Sequence, residues 1–138
     1  MSNMYLDVHL PWPHRGLSPN SRLTIFAKAR LFKAAKLLSQ AATKRALHEK
    51  GLAGARLKGG QPPRYRAGTM NVQLVCTPPI TRYRDEDNLI ATCKAYLDGC
   101  AAGLSVDDTT FHFREQVWHK AEAPGSLVMR FDWEESDE

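Results

Sequence analysis

The sequence predicts a single α+β domain of about four strands and two main helices in the order β-α-β-α-β-β, with the helices packed on one small sheet. Three observations lead there. The 138 residues suit one core of ordinary domain size. Four short runs alternate apolar and polar residues with a period of two. Two longer runs repeat apolar residues at helical spacing. The domain is expected over residues 1–133, with "EESDE" at 134–138 as an acidic tail.

"MYLDVHL" sets Met4, Leu6, Val8 and Leu10 against Tyr5, Asp7 and His9, the pattern of a half-buried strand ending at Pro11. "PWPHRGLSPN" follows as a loop. Ser21 is the expected cap of a long helix running to about Lys50, with Gly51 as its stop. On a helical wheel Leu23, Ala27, Leu31, Ala34, Leu38 and Ala41 share the arc expected to pack. Arg22, Lys28, Lys33, Lys36, Lys44 and Lys50 form a basic stripe on another arc. Residues 51–68, rich in Gly, Pro and Arg, read as a mobile basic loop. "TMNVQLVC" alternates as a second strand. From Asn88, the recurrence of Leu89, Cys93, Tyr96, Cys100 and Leu104 predicts one helix ending near Gly103. "FHFREQVWH" and "SLVMRFDW" then alternate on either side of "KAEAPG", which reads as a hairpin connection.

Composition narrows the function classes. No apolar run reaches the length of a membrane span, and the N-terminus lacks the basic-then-apolar pattern of a signal peptide, so a cytoplasmic, membrane-free protein is expected. Cys76, Cys93 and Cys100 have no CxxC spacing and read as reduced, buried thiols. The five histidines form no ligand motif. Trp12, Trp118 and Trp133 are too dispersed to form a stacking platform for single strands and read as core or interface residues. Charge is more informative: residues 22–66 hold twelve Lys and Arg against the one acid Glu49. Such a block fits a polyanionic partner or a solvated helix face.

Against this basic background, "RYRDEDNL" concentrates Asp85, Glu86 and Asp87. In an extended segment, Asp85 and Asp87 lie on one side about 7 Å apart, able to converge on a cation. A second acidic pair, Asp107 and Asp108, follows the next helix. Each acid also has a plain structural use, as a helix cap, at a helix dipole or in a turn. Repulsion within the triplet favours a compensating cation or the neighbours Arg82 and Arg84. Lys94 lies two helical turns after Asp87, placed either to stabilise phosphate charge or to pair with Asp98 at i,i+4.

Taken in order, "LPWP" with "SPNSR", "RDEDNL" leading into a helix with Lys94 and "LDG", and "GLSVDD" before a strand resemble the RusA family of Holliday-junction resolvases of bacteria and their prophages. The resemblance covers most of the chain. It implies a homodimeric, magnesium-dependent endodeoxyribonuclease, with manganese able to substitute and no small-molecule cofactor. That enzyme resolves four-way junctions by paired nicks in DNA recombination and repair. The implied metal ligands are Asp85, Asp87 and Asp108, with Asp107 as the alternative third acid, and the implied catalytic lysine is Lys94. Some members place that lysine one turn after "DN", where this chain has Ala91. Asn20, Arg22, Lys28, Lys33, Lys36, Arg64, Arg66, Arg82 and Arg84 are the expected phosphate contacts. The competing readings are a non-catalytic module for branched DNA and a metal nuclease acting on other branched DNA or on RNA.

Overall fold

The computed structural model describes residues 3–52, 64–81 and 86–136, with the side chains of Glu86 and Asp87 outside that description. Its five strands are β1 (Asn3–Pro11), β2 (Asn71–Thr77), β3 (His112–Phe113), β4 (Val117–Trp118) and β5 (Ser126–Glu134). They form one sheet in the order β1-β5-β2-β3, with β4 also on β2. The helices are α1 (Ile25–Glu49), α2 (Glu86–Thr92) and α3 (Lys94–Leu104). The α+β class therefore holds, with two main helices on one sheet.

Alternation explains the sheet. Leu6, Val8 and Leu10 of β1, Val72, Leu74 and Cys76 of β2, and Leu127, Met129, Phe131 and Trp133 of β5 are all buried on the core face. β5 runs antiparallel to both long neighbours, pairing Asp7 with Arg130 across β1 and Leu74 with Met129 across β2. On the opposite face the Arg130 guanidinium donates to both Asp7 carboxylate oxygens at 2.9 and 3.2 Å, which fixes the register of that pair. α3 lies in the core, with Ala95, Tyr96, Leu97, Gly99, Cys100, Ala101 and Leu104 buried. No helix among the described residues is long and apolar enough to cross a membrane.

Several local expectations change. The last two strand segments do not form a hairpin: β3 and β4 pair parallel with one side of β2, whereas β5 lies on its other side. β2 is buried at every second residue and takes partners on both edges, and the fully alternating β5 fits the central place. Residues 112–118, interrupted by Arg114, Glu115 and Gln116, make only two short pairings and serve as the edge. The cap of α1 is Thr24, whose Oγ1 accepts from Ala27 N–H at 3.1 Å, and not Ser21. Gly51 follows the helix with φ 71°, as its stop role requires.

The packing arc of α1 also differs. Ala35, Ser39, Thr43 and Leu47 are the buried positions, while Leu23, Leu37 and Leu38 are exposed. The reason is the closeness of α3: a Cβ on Gly99 would lie 1.9 Å from Ser39 Oγ and 2.3 Å from Lys36 O. Only small side chains fit such a seam. Gly103 belongs to it as well, facing Thr43, and the stop after α3 is Ser105 in the left-handed region at φ 60°. The helix expected from Asn88 onward is divided at Cys93 into α2 and α3, beside Thr92, whose Oγ1 donates to the Asn88 carbonyl at 2.9 Å one turn back. Finally, residues 134–136 continue the sheet region and are not a tail: Arg66 N–H donates to Glu134 O at 2.9 Å, and Ser136 N–H to Arg64 O at 3.2 Å.

Candidate functional site

Three segments distant in sequence meet beside the start of α3. Tyr96, buried on α3, donates its hydroxyl to the Pro11 carbonyl at 3.1 Å and so pins the "LPWP" loop. Asn88 of α2 donates from Nδ2 to Ser18 Oγ at 3.3 Å, bringing the "SPNSR" loop against the same helix. The left-handed Ser105 reverses the chain after α3, so that residues 106–108 return along the helix.

Within that returning turn the two acids divide their work. Asp107 is a cap: its Oδ1 accepts from Thr109 N–H at 3.0 Å and from Thr109 Oγ1 at 2.9 Å. Asp108 accepts instead from Lys94 Nζ at 2.6 Å, and Asp98 accepts from the same ammonium at 3.0 Å. Of the two, Asp108 is therefore the acid that faces Lys94. The hydrogen bond to Asp108, followed by that to Asp98, raises the Lys94 pKa, and the Lys94 hydrogen bond lowers that of Asp108. The pair thus favours the Lys94 ammonium and the Asp108 carboxylate.

Two clefts share Lys94 and Asp108. One, of about 450 Å³, is lined by Lys36, Lys94, Asp98, Ala101, Ala102, Val106, Asp107 and Asp108. It brings a basic residue of α1 to the acids. The other, of about 520 Å³, runs between Leu17, Pro19, Ile90, Ala91, Leu97, Thr109, Phe111 and Phe113, with Lys94 and Asp108 at its polar side.

Of the residues expected from sequence, Lys94, Asp108 and Lys36 come together. Asp85, Arg82 and Arg84 lie outside the described residues. Asp87 is inside α2, so it does not occupy the extended segment that the i,i+2 geometry requires. Among the described residues, no three of His, Cys, Asp and Glu gather as a metal-holding group. Asn20, Arg22, Lys33 and Arg64 are exposed, and Lys28 is half-buried. Arg66 pairs with Glu134 at 3.1 Å, which offsets its charge. Lys50 of the expected stripe instead lies over the Tyr5 ring, 3.4 Å from its centroid. Asp98 was not among the expected site residues, but its i,i+4 pairing with Lys94, one of the two readings open from the sequence, forms at 3.0 Å.

The three cysteines are free and buried, as their spacing suggested. Burial pushes the Cys100 thiol up to about 12 and raises that of Cys93 as well, which is unsuited to nucleophilic or metal-binding work. Trp133 is in the core, and Trp12 packs edge-on to Trp118 at 6.0 Å.

No protein-family model matches the chain. It is similar to an uncharacterized protein of Xylella fastidiosa (strain Temecula1 / ATCC 700964), 28% identical over 120 residues that cover 87% of this chain and 71% of the relative.

Proposed function

We propose that the protein is a magnesium-dependent, structure-selective endodeoxyribonuclease of the RusA type, acting as a cytoplasmic homodimer that resolves Holliday junctions by paired nicks. The observation that carries this reading is the convergence of the three segments on which the resemblance rests. Ser18 meets Asn88, and Lys94 meets Asp108.

The support for a hard cation here is the presence of carboxylates. Asp98 and Asp108 already direct carboxylate oxygens at one cationic centre, the Lys94 ammonium, and magnesium takes such hard oxygen ligands. In this reading Asp85, Asp87 and Asp108 would hold the metal, Asp87 from the first turn of α2 and not from an extended segment. Bound there, it would supply positive charge opposite the scissile phosphate and make a water easier to deprotonate into a nucleophile. Lys94 stabilises the negative charge that develops on the phosphate, and Asp98 orients its ammonium. Lys36, at the edge of the acidic cleft, holds the DNA backbone without reading its sequence.

A second reading, a branched-DNA-binding module without catalysis, draws support from the ion cluster itself. Lys94 is satisfied by two carboxylates and forms a closed structural contact. Cleavage of a labelled four-way junction beside a linear duplex of the same sequence, with and without magnesium, separates the two. Wild type nicking the junction selectively, with Asp87→Asn and Asp108→Asn binding but not cutting, supports the nuclease. Binding without cutting by all three proteins under magnesium or manganese assigns the acids to structure.

A further inference from the structure

The two clefts that share Lys94 and Asp108 are chemically unlike. One is acidic and basic, whereas the other is walled by Leu17, Ile90 and Phe113. Phe113 is 45% exposed on the edge strand β3. A ring so placed has little to do with holding the core. We infer that this apolar cleft receives one unstacked nucleobase of the strand being cut, with Phe113 as its stacking surface. The inference rests on the proposed nuclease reading and specifies how that site selects its substrate.

Size, adjacency and charge argue for this occupant. The volume of about 520 Å³ falls within the range of about 300–1,000 Å³ typical of ligand pockets, which are mostly apolar with a few polar groups. Lys94 and Asp108 line both clefts, so a phosphate held at Lys94 has its own nucleotide at the mouth of the apolar one. Lys36, which lines the adjoining acidic cleft, belongs to a run, residues 22–36, that also carries Arg22, Lys28, Arg30 and Lys33 and no acid. An apolar cleft in such surroundings suits a partner that is anionic along its backbone and apolar on its base faces.

The consequence is a physical source of shape selectivity. A single phosphate contact is available on linear and branched DNA alike and reads no base. Extracting a base from a continuous stack costs free energy, and the cost is least where the base is already unpaired or unstacked, as at a branch point. A base-accepting cleft therefore rewards branched DNA, which the basic surface alone does not.

The test places 2-aminopurine at each position flanking the cut phosphate, in a four-way junction and in a linear duplex. Calcium replaces magnesium so that binding proceeds without cutting. Wild type, Phe113→Ala and Phe113→Trp are compared for emission, for affinity and, with magnesium restored, for the ratio of junction to duplex cleavage. The expected result is a rise in emission at one position beside the cut in the junction. Phe113→Ala should bind the junction roughly tenfold more weakly, the scale of one lost base–aromatic stack, and Phe113→Trp should recover it. Emission unchanged at every position with wild type, or an unaltered junction preference in a folded Phe113→Ala, overturns the base cleft and leaves the nuclease reading in place. If wild type neither binds nor cuts any of the DNAs, both fall.

Discussion

Lys94 Nζ lies 2.6 Å from Asp108 Oδ2, joining the first residue of α3 to the turn that follows its last. The helix between them is about 16 Å long at 1.5 Å per residue, so the contact exists only because the chain doubles back at Ser105. Lys94 remains 58% exposed on its side chain, and exposed ion pairs contribute only about 0–1 kcal/mol. Asp108→Asn should therefore melt within a few degrees of wild type yet cut a four-way junction about a hundredfold more slowly or worse. Asp107→Asn should keep both properties, because Asn caps a turn about as well as Asp. Single-turnover cleavage and thermal melts decide this, and full activity in Asp108→Asn would remove that residue from the site.

DNA affinity should depend on Lys36 more than on Arg66. Lys36 lines the acidic cleft with no carboxylate partner described for it, whereas Arg66 is held by Glu134 at 3.1 Å. Releasing one phosphate contact lowers the slope of log affinity against log salt by about 0.9. Lys36→Ala should show that reduction, and Arg66→Ala should leave the slope near wild type. Fluorescence anisotropy at several salt concentrations measures it; the reverse ranking would place the backbone contacts on the β5 side of the molecule.

How far the sequence reaches is visible in particular residues. Strand positions such as Leu6, Val8 and Leu74 were legible because burial of one face imposes a period of two. The place of β5 between β1 and β2 was not, since alternation reports which face is buried and says nothing about the neighbour. The α1 seam was hidden for another reason: Ser39, Thr43 and Gly99 are selected by closeness, which hydropathy does not register. Lys94 and Asp108 were found through their motifs, but their meeting depends on the reversal at Ser105, where no glycine marks the left-handed turn. Asp87 was misplaced because a run of acids before an apolar pattern reads equally well as extended chain or as the first turn of a helix.

Gly99→Ala should be among the most destabilising single-methyl additions in the protein. Its Cβ would stand 1.9 Å from Ser39 Oγ and 2.3 Å from the Lys36 carbonyl, and a backbone carbonyl cannot rotate aside. The helices must separate, at a cost of about 1–3 kcal/mol or more. Gly103→Ala meets Thr43 Cβ at 2.8 Å and should cost less. Urea unfolding of both variants tests the seam, and a neutral Gly99→Ala would contradict the close approach of α1 and α3.

Alkaline pH should weaken the fold through groups held neutral in its interior. Burial pushes Cys100 and Tyr96 up to about 12 and raises Cys93 and Tyr65 as well. In the unfolded chain these groups ionise near about 8.5 for thiols and about 10 for tyrosines. The folded values are the higher ones, so above those pH values the native state retains protons that the unfolded state has lost. Stability from these groups is complete below about pH 8.5 and declines as pH rises toward about 12. Urea midpoints should accordingly fall steadily from pH 8.5 to 11. A thiol reagent at pH 8 should find none of Cys76, Cys93 and Cys100 in the folded protein and all three in denaturant, because none exceeds 1% exposure. Rapid reaction of any thiol in the native state, or a flat midpoint profile across that range, would mean that the core around α3 admits water and that burial is not what holds these groups neutral.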